Sequence, residues 1–140
     1  MTWTPTSSPP IKDLRVLVKK TDETKYIMQL KDPLDYYSTS DEWMLDDGTR
    51  FPFADISYWQ FLPSTPILPN LFSWFESLNR LYTNTRVLMS DQFNDINIVT
   101  IYTKIYTNDD GSQDSRYYYV DDFGFIYAPD EYFYWQPIPF

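Results

Sequence analysis

Three pairs of adjacent aspartates, Asp46-Asp47, Asp109-Asp110 and Asp121-Asp122, are the residues here whose type and spacing could do chemistry. Paired carboxylates can divide acid and base roles, or collect around a hard cation. The stretch Asp109-Asp110-Gly111-Ser112-Gln113-Asp114 comes nearest to an oxygen-ligand loop, but it lacks the ligand spacing and terminal glutamate of an EF-hand, so no metal is expected. The chain has no histidine and no cysteine, which removes the usual general base, the thiol nucleophile and the commonest metal ligands. No glycine-rich phosphate loop is present either. Aspartates next to glycine are the ordinary residues of turns, so the reading is of a protein that is not an enzyme, with no catalytic residue and no cofactor.

Binding is the remaining class. Lysine and arginine number 11 against 20 acidic residues, a net charge of −9, which repels phosphate backbones and anionic lipid. Direct binding to nucleic acid or to a membrane is therefore not expected. Aromatic residues make up 20% of the chain, enough for an aromatic core and for contact surfaces. Tyr117, Tyr119, Tyr127 and Tyr132 are read as exposed rings able to stack on a ligand or anchor a protein partner. No apolar run has the length of a signal peptide or a membrane span, so a soluble, cytoplasmic protein is expected.

These residues are carried by elements that occur twice. Tyr58-Trp59-Gln60-Phe61-Leu62-Pro63 returns as Tyr134-Trp135-Gln136-Pro137-Ile138-Pro139 at an offset of 76, which also sets Gly48 on Gly124. At 75, Asp46-Asp47 meets Asp121-Asp122 and Trp43 meets Tyr118. At 71, Trp3 meets Trp74 and Arg15-Val16-Leu17 meets Arg86-Val87-Leu88. Matches that keep their order predict a tandem duplication with loop insertions. The division expected is residues 1–66 as module one and 67–140 as module two, each small enough to lean on a shared interface.

Within module one, Pro5, Pro9 and Pro10 rule out a helical start, and Trp3 is expected to pin this arm. Leu14, Val16 and Val18 alternate with Arg15, Leu17 and Lys19 as a strand with one apolar face, turning into Tyr26–Leu30. In module two, Asn70 resembles an N-cap, and Leu71, Trp74, Phe75, Leu78 and Leu81 fall at helical spacing, predicting one helix over 71–81. Residues 96–106 are β-branched and aromatic, suiting a strand buried on much of both faces. The fold class is mainly β: two duplicated small antiparallel modules packed as a pseudo-dimer with one short helix, the alternative being a single α+β domain.

The Trp3 opening, the proline arm, Arg15-Val16-Leu17-Val18 and the two Tyr-Trp-Gln endings resemble a family of short phage and prophage proteins of unknown function. That family has a W…P…VLV opening and an H-W-M-P-L-P type of ending. Here Tyr58 and Tyr134 stand for the histidine, and Gln60 and Gln136 for the methionine. The resemblance implies a phage setting, not an activity. In that setting, an acidic, aromatic protein suggests an inhibitor of a host defence factor that handles nucleic acid, working in the host cytoplasm by imitating phosphates with carboxylates. The contact residues expected are Asp46, Asp47, Asp109, Asp110, Asp121 and Asp122, with Tyr117 and Tyr119 as aromatic anchors. The alternative is a carbohydrate- or small-ligand-binding module that stacks its ligand on aromatic rings. The sequence leaves self-association open.

Overall fold

The structure is a computed structural model that describes residues 2–35, 37–63, 75–76, 85–91, 93, 95–127 and 132–140, with backbone alone for 75, 76, 104, 116, 117, 132 and 133. Its contacts divide the chain into Met1–Pro63 and Ser64–Phe140. The described residues are mainly β, and all strand pairs are antiparallel.

Unit 1 holds β1 (Thr4–Pro5), β2 (Val16–Lys20), β3 (Lys25–Lys31), β4 (Glu42–Leu45), β5 (Arg50–Pro52), a 3-10 turn at Phe53–Asp55 and β6 (Ile56–Phe61). They form one sheet in the order β1-β6-β2-β3-β4-β5. Unit 2 holds β7 (Phe75–Glu76), β8 (Arg86–Asp91), β9 (Ile96–Thr107), β10 (Gln113–Asp121), β11 (Ile126–Tyr127) and β12 (Tyr132–Pro137), ordered β7-β12-β8-β9-β10-β11. Strand for strand, the two orders are the same.

The registers agree too. Adding 71 carries Val16↔Met28 and Leu17↔Ile27 onto Val87↔Val99 and Leu88↔Ile98. Adding 76 to the later strands carries Val18↔Trp59 onto Met89↔Trp135, Leu30↔Trp43 onto Ile101↔Tyr119, and Trp43↔Phe51 onto Tyr119↔Tyr127. Even the irregularity after Lys19 in the β2–β6 pair has its counterpart between Tyr132 and Tyr134. The offset of 75 is thereby corrected: Trp43 corresponds to Tyr119 and not to Tyr118, Asp46 to Asp122, and Asp47 to Phe123. Only two offsets are needed, and the five-residue change from 71 to 76 falls wholly between Leu30 and Trp43, where unit 2 has the long hairpin β9–β10.

Each core lies on one sheet face. In unit 1 it joins Val16, Val18, Met28, Leu30, Trp43, Ile56 and Trp59; in unit 2, Val87, Met89, Val99, Ile101, Tyr119 and Trp135. The alternation in β2 predicts one apolar face, but Leu17 is as fully buried as Val16 and Val18, because the opposite face of a central strand is covered as well. The N-terminal arm is held as expected. Thr6 donates its N–H to the Ser57 carbonyl at 3.1 Å, Trp59 Nε1 donates to the Ser8 carbonyl at 2.8 Å, and Lys19 Nζ lies 4.7 Å from the Trp3 ring centroid.

The helix expected over 71–81 is contradicted at its middle. Phe75–Glu76 is an edge strand, paired Trp135↔Phe75 and Tyr134↔Glu76, as Thr4–Pro5 is paired to Trp59 and Tyr58. A short apolar run fits either period, and the ladder offered by β12 decides the conformation. The rest of that segment lies outside the described residues, as do the linker from 64 and Asn70.

Candidate functional site

The aspartate pairs sit on hairpin turns of one kind. In the turns beginning at Lys20, Leu45, Asn108 and Asp121, the first residue's N–H donates to the fifth residue's carbonyl at 2.8–3.0 Å, and the fourth N–H donates back to the first carbonyl at 2.9–3.2 Å. The fourth position has positive φ: 70° at Glu23, 92° at Gly48, 87° at Gly111 and 89° at Gly124. This is the three-residue loop whose left-handed residue favours glycine, which explains the Asp-Asp-Gly spelling.

Position in the turn sets what each carboxylate does. At the third position, Asp47 and Asp110 accept the N–H of Thr49 and Ser112 through Oδ1, each at 2.9 Å. Those bonds hold both carboxyls below the ordinary carboxylate range, the Thr49 backbone amide acting most on Asp47 and the Ser112 hydroxyl most on Asp110. At the first position, Asp121 Oδ1 takes the N–H groups of Phe123 and Phe125 at 2.9 and 3.0 Å, and its Oδ2 takes the Tyr127 hydroxyl at 3.1 Å. At the second position, Asp46 receives Arg15 through Nε at 3.1 Å and Nη2 at 2.8 Å, while Asp122 receives Arg86 Nη2 at 2.8 Å. Burial nevertheless pushes the Asp122 carboxyl up, with Arg86 pulling against it.

Asp109 holds the same second position in the β9–β10 turn and is different. It is exposed and has no hydrogen bond or ion pair among the described residues. Of the six expected contact aspartates, five serve their own turns and strands; Asp109 alone is left at a tip.

That tip ends a projecting two-stranded ribbon. β8 pairs with β9 only as far as Thr100, and β11 pairs with β10 only at Tyr119 and Val120, so 102–107 and 113–118 pair with each other and with no further strand among the described residues. Tyr102 and Tyr118 stack across its base with centroids 5.5 Å apart. Farther out, Ile105 and Tyr106 are exposed, so the expectation of burial on both faces holds only for the first half of β9, from Ile96 to Ile101. Among the described residues unit 1 has no such ribbon: Glu42, Trp43 and Met44 of β4 all pair with β5.

The aromatic anchors fare unequally. Tyr119 is a correction: it is completely buried, filling the place that Trp43 fills in unit 1, with burial pushing its phenol up to about 12. Of Tyr117 the structure gives only its place opposite Thr103. Two exposed apolar groups escaped the sequence reading. Phe125 and Ile126, 67% and 70% exposed, stand where unit 1 has Thr49 and Arg50. The signal was in the sequence, but only the offset of 76 aligns it.

Among the described residues no group of three or more acidic side chains is placed to hold a metal ion, and no helix is long and apolar enough to cross a membrane. The described residues of unit 2 thus present an antiparallel two-stranded ribbon and an exposed apolar turn at Phe125 and Ile126. No family model, curated protein or solved structure matches the chain.

Proposed function

We propose that this chain is a non-enzymatic binding protein that uses the β9–β10 ribbon of unit 2 to occupy a protein partner. One observation carries the reading: of two sheets that agree strand by strand, one has five extra residues that lift Asp109, Ile105 and Tyr106 clear of the sheet. A free carboxylate beside exposed apolar side chains suits a partner surface with a basic rim and an apolar centre. The phage-type resemblance adds the finer proposal that the partner is a host defence factor that handles nucleic acid. Phosphate imitation then rests on Asp109 and the net charge of −9 rather than on the six aspartates together. The sugar-stacking alternative draws less support, since Tyr119 is buried and Tyr127 donates its hydroxyl to Asp121.

The test is a pull-down from bacterial lysate with the tagged full chain beside Asp109→Lys and the double variant Ile105→Ser/Tyr106→Ser, each at low and high salt. A nucleic-acid-handling protein retained by the parent, weakened by salt and lost from both variants supports the proposal. Equal retention by all three chains removes the ribbon from the contact, and a sugar or nucleotide recovered without protein moves the function to the ligand-binding alternative.

A further inference from the structure

At the end of its sheet away from the ribbon tip, unit 2 has two turns that unit 1 builds differently. In unit 1 the β2–β3 and β4–β5 turns each carry an aspartate at the third position: Asp22 Oδ1 accepts the N–H of Thr24 at 3.0 Å, and Asp47 Oδ1 that of Thr49 at 2.9 Å. In both equivalent turns of unit 2 the carboxylate stands at the first position instead. Asp91 Oδ1 accepts the N–H groups of Phe93 and Asp95 at 2.8 and 3.0 Å, as Asp121 Oδ1 accepts those of Phe123 and Phe125. One carboxylate fastens two amides, which releases the third side chain from the turn, and in both turns that side chain is phenylalanine. Phe93 is 74% exposed, and Phe125 and Ile126 are similarly open. Unit 1 has Asp22, Thr49 and Arg50 at these three places, so the fold needs no apolar group at any of them.

β8, β9, β10 and β11 lie side by side, which sets the β8–β9 and β10–β11 turns two strand spacings, or roughly 10 Å, apart. That is close to two turns of an α-helix. Asp91, Asp95, Asp121 and Asp122 make this end acidic, and the exposed Asp95 carboxylate has no hydrogen bond or ion pair among the described residues. We propose that the two turns dock a basic amphipathic helix of a partner protein. Phe93 and the adjacent Phe125 and Ile126 then seat on its apolar stripe two helical turns apart, the separation of i and i+7 anchors, while lysines or arginines beside the stripe meet Asp95. Charge disfavours the other occupants: a second copy would set like carboxylates against each other, and anionic lipid carries the same sign. The contact does not rest on the ribbon and goes beyond it, giving unit 2 a second place of engagement.

Amide NMR spectra of the labelled full chain test this by titration with a Leu/Lys peptide of about four helical turns, its leucines on one helical face. Shifts centred on the amides of Phe93, Asp95, Phe125 and Ile126 are expected. Phe93→Asp/Phe125→Thr/Ile126→Arg gives unit 2 the residues with which unit 1 already folds, and its added aspartate and arginine cancel, leaving the net charge at −9. It should weaken binding by about tenfold or more through lost apolar contact, with spectra outside the turns unchanged. Asp95→Lys should also weaken binding, whereas Asp109→Lys, the same charge change at the ribbon tip, should not. A Leu/Glu peptide of the same pattern should fail to bind. No binding of the Leu/Lys peptide, shifts centred elsewhere, equal weakening by the two lysine variants, or a triple variant that binds like the parent overturns the proposal. So does binding of neutral phosphatidylcholine vesicles through the same three side chains, which would make the surface a lipid contact.

Discussion

Arg86 donates from Nη2 to Oδ2 of Asp122 at 2.8 Å, tying the first residue of β8 to the turn between β10 and β11. The pair repeats in unit 1 as Arg15 and Asp46, reached by adding 71 to the arginine and 76 to the aspartate, although the five-residue change in offset lies between them. In both units this contact ties the start of a central strand to a hairpin turn.

Arg86→Ala should therefore cost unit 2 about 1 kcal/mol, the upper end for a partly exposed pair, and Arg15→Ala should cost unit 1 a similar amount. Denaturant titration followed by Trp fluorescence checks both. Arg86→Ala should also move the Asp122 carboxyl further up, because the guanidinium is what opposes its desolvation. A variant as stable as the parent would mean that the pair is ornamental.

Trp43 has no exposed surface, belongs to the unit 1 core and stacks with Phe53 at 6.2 Å between ring centroids. Trp43→Ala should cost about 3–5 kcal/mol, enough to unfold a unit of this size, while Trp43→Tyr, the residue type at the equivalent position 119, should cost much less. Loss of unit 1 amide dispersion in an NMR spectrum, with unit 2 signals kept, is the expected outcome for the alanine variant.

Gln60 and Gln136 are equivalent, buried at 4% and 5% exposure, and the Gln60 amide finds no partner among the described residues through either Nε2 or Oε1. Gln60→Leu should raise stability by about 1 kcal/mol, since it removes a buried polar group without stranding another. A fall in melting temperature would show that the amide is satisfied in solution.

The carboxyls should titrate in two groups. Asp22, Asp47 and Asp110 lie below the ordinary 3.8 because turn residues donate to them, and Asp122 lies above it because it is desolvated. Lowered values stabilise the fold above pH 3.8, and that stability is lost as pH falls through the folded values; Asp122 acts with the opposite sign. Carboxyl carbon shifts measured against pH would resolve the two groups.

Tyr119 should weaken unit 2 at alkaline pH. Its phenol is raised from 10.0 to about 12, so its contribution is complete below pH 10 and lost as pH rises towards about 12. Alkaline unfolding followed by tyrosinate absorbance should show this loss in the parent, and Tyr119→Phe should flatten it.

The mainly β class, the Asp-Asp-Gly turns, the Trp3 arm and the matching endings are all legible in the residues, because strand period, turn glycines and repeated words are local. Trp43 and Tyr119 were legible as aromatics and not as equivalents, since a match of Trp with Tyr is weak until a ladder sets both opposite the same neighbours. Phe75 illustrates the opposite failure: its local spacing argues for a helix, and only the free edge of β12 makes it a strand.

The candidate site divides along the same line. The sequence by itself determined that six aspartates lie in turns and that histidine and cysteine chemistry is absent. Tertiary structure decided which carboxylates are committed, since Arg15 and Arg86 are distant in sequence from the aspartates they bind. It also decided that Tyr119 is interior and that the residues added in unit 2 lengthen a hairpin rather than a loop. Those outcomes depend on which strand lies beside which, and strand pairing is a long-range relation that no local window contains.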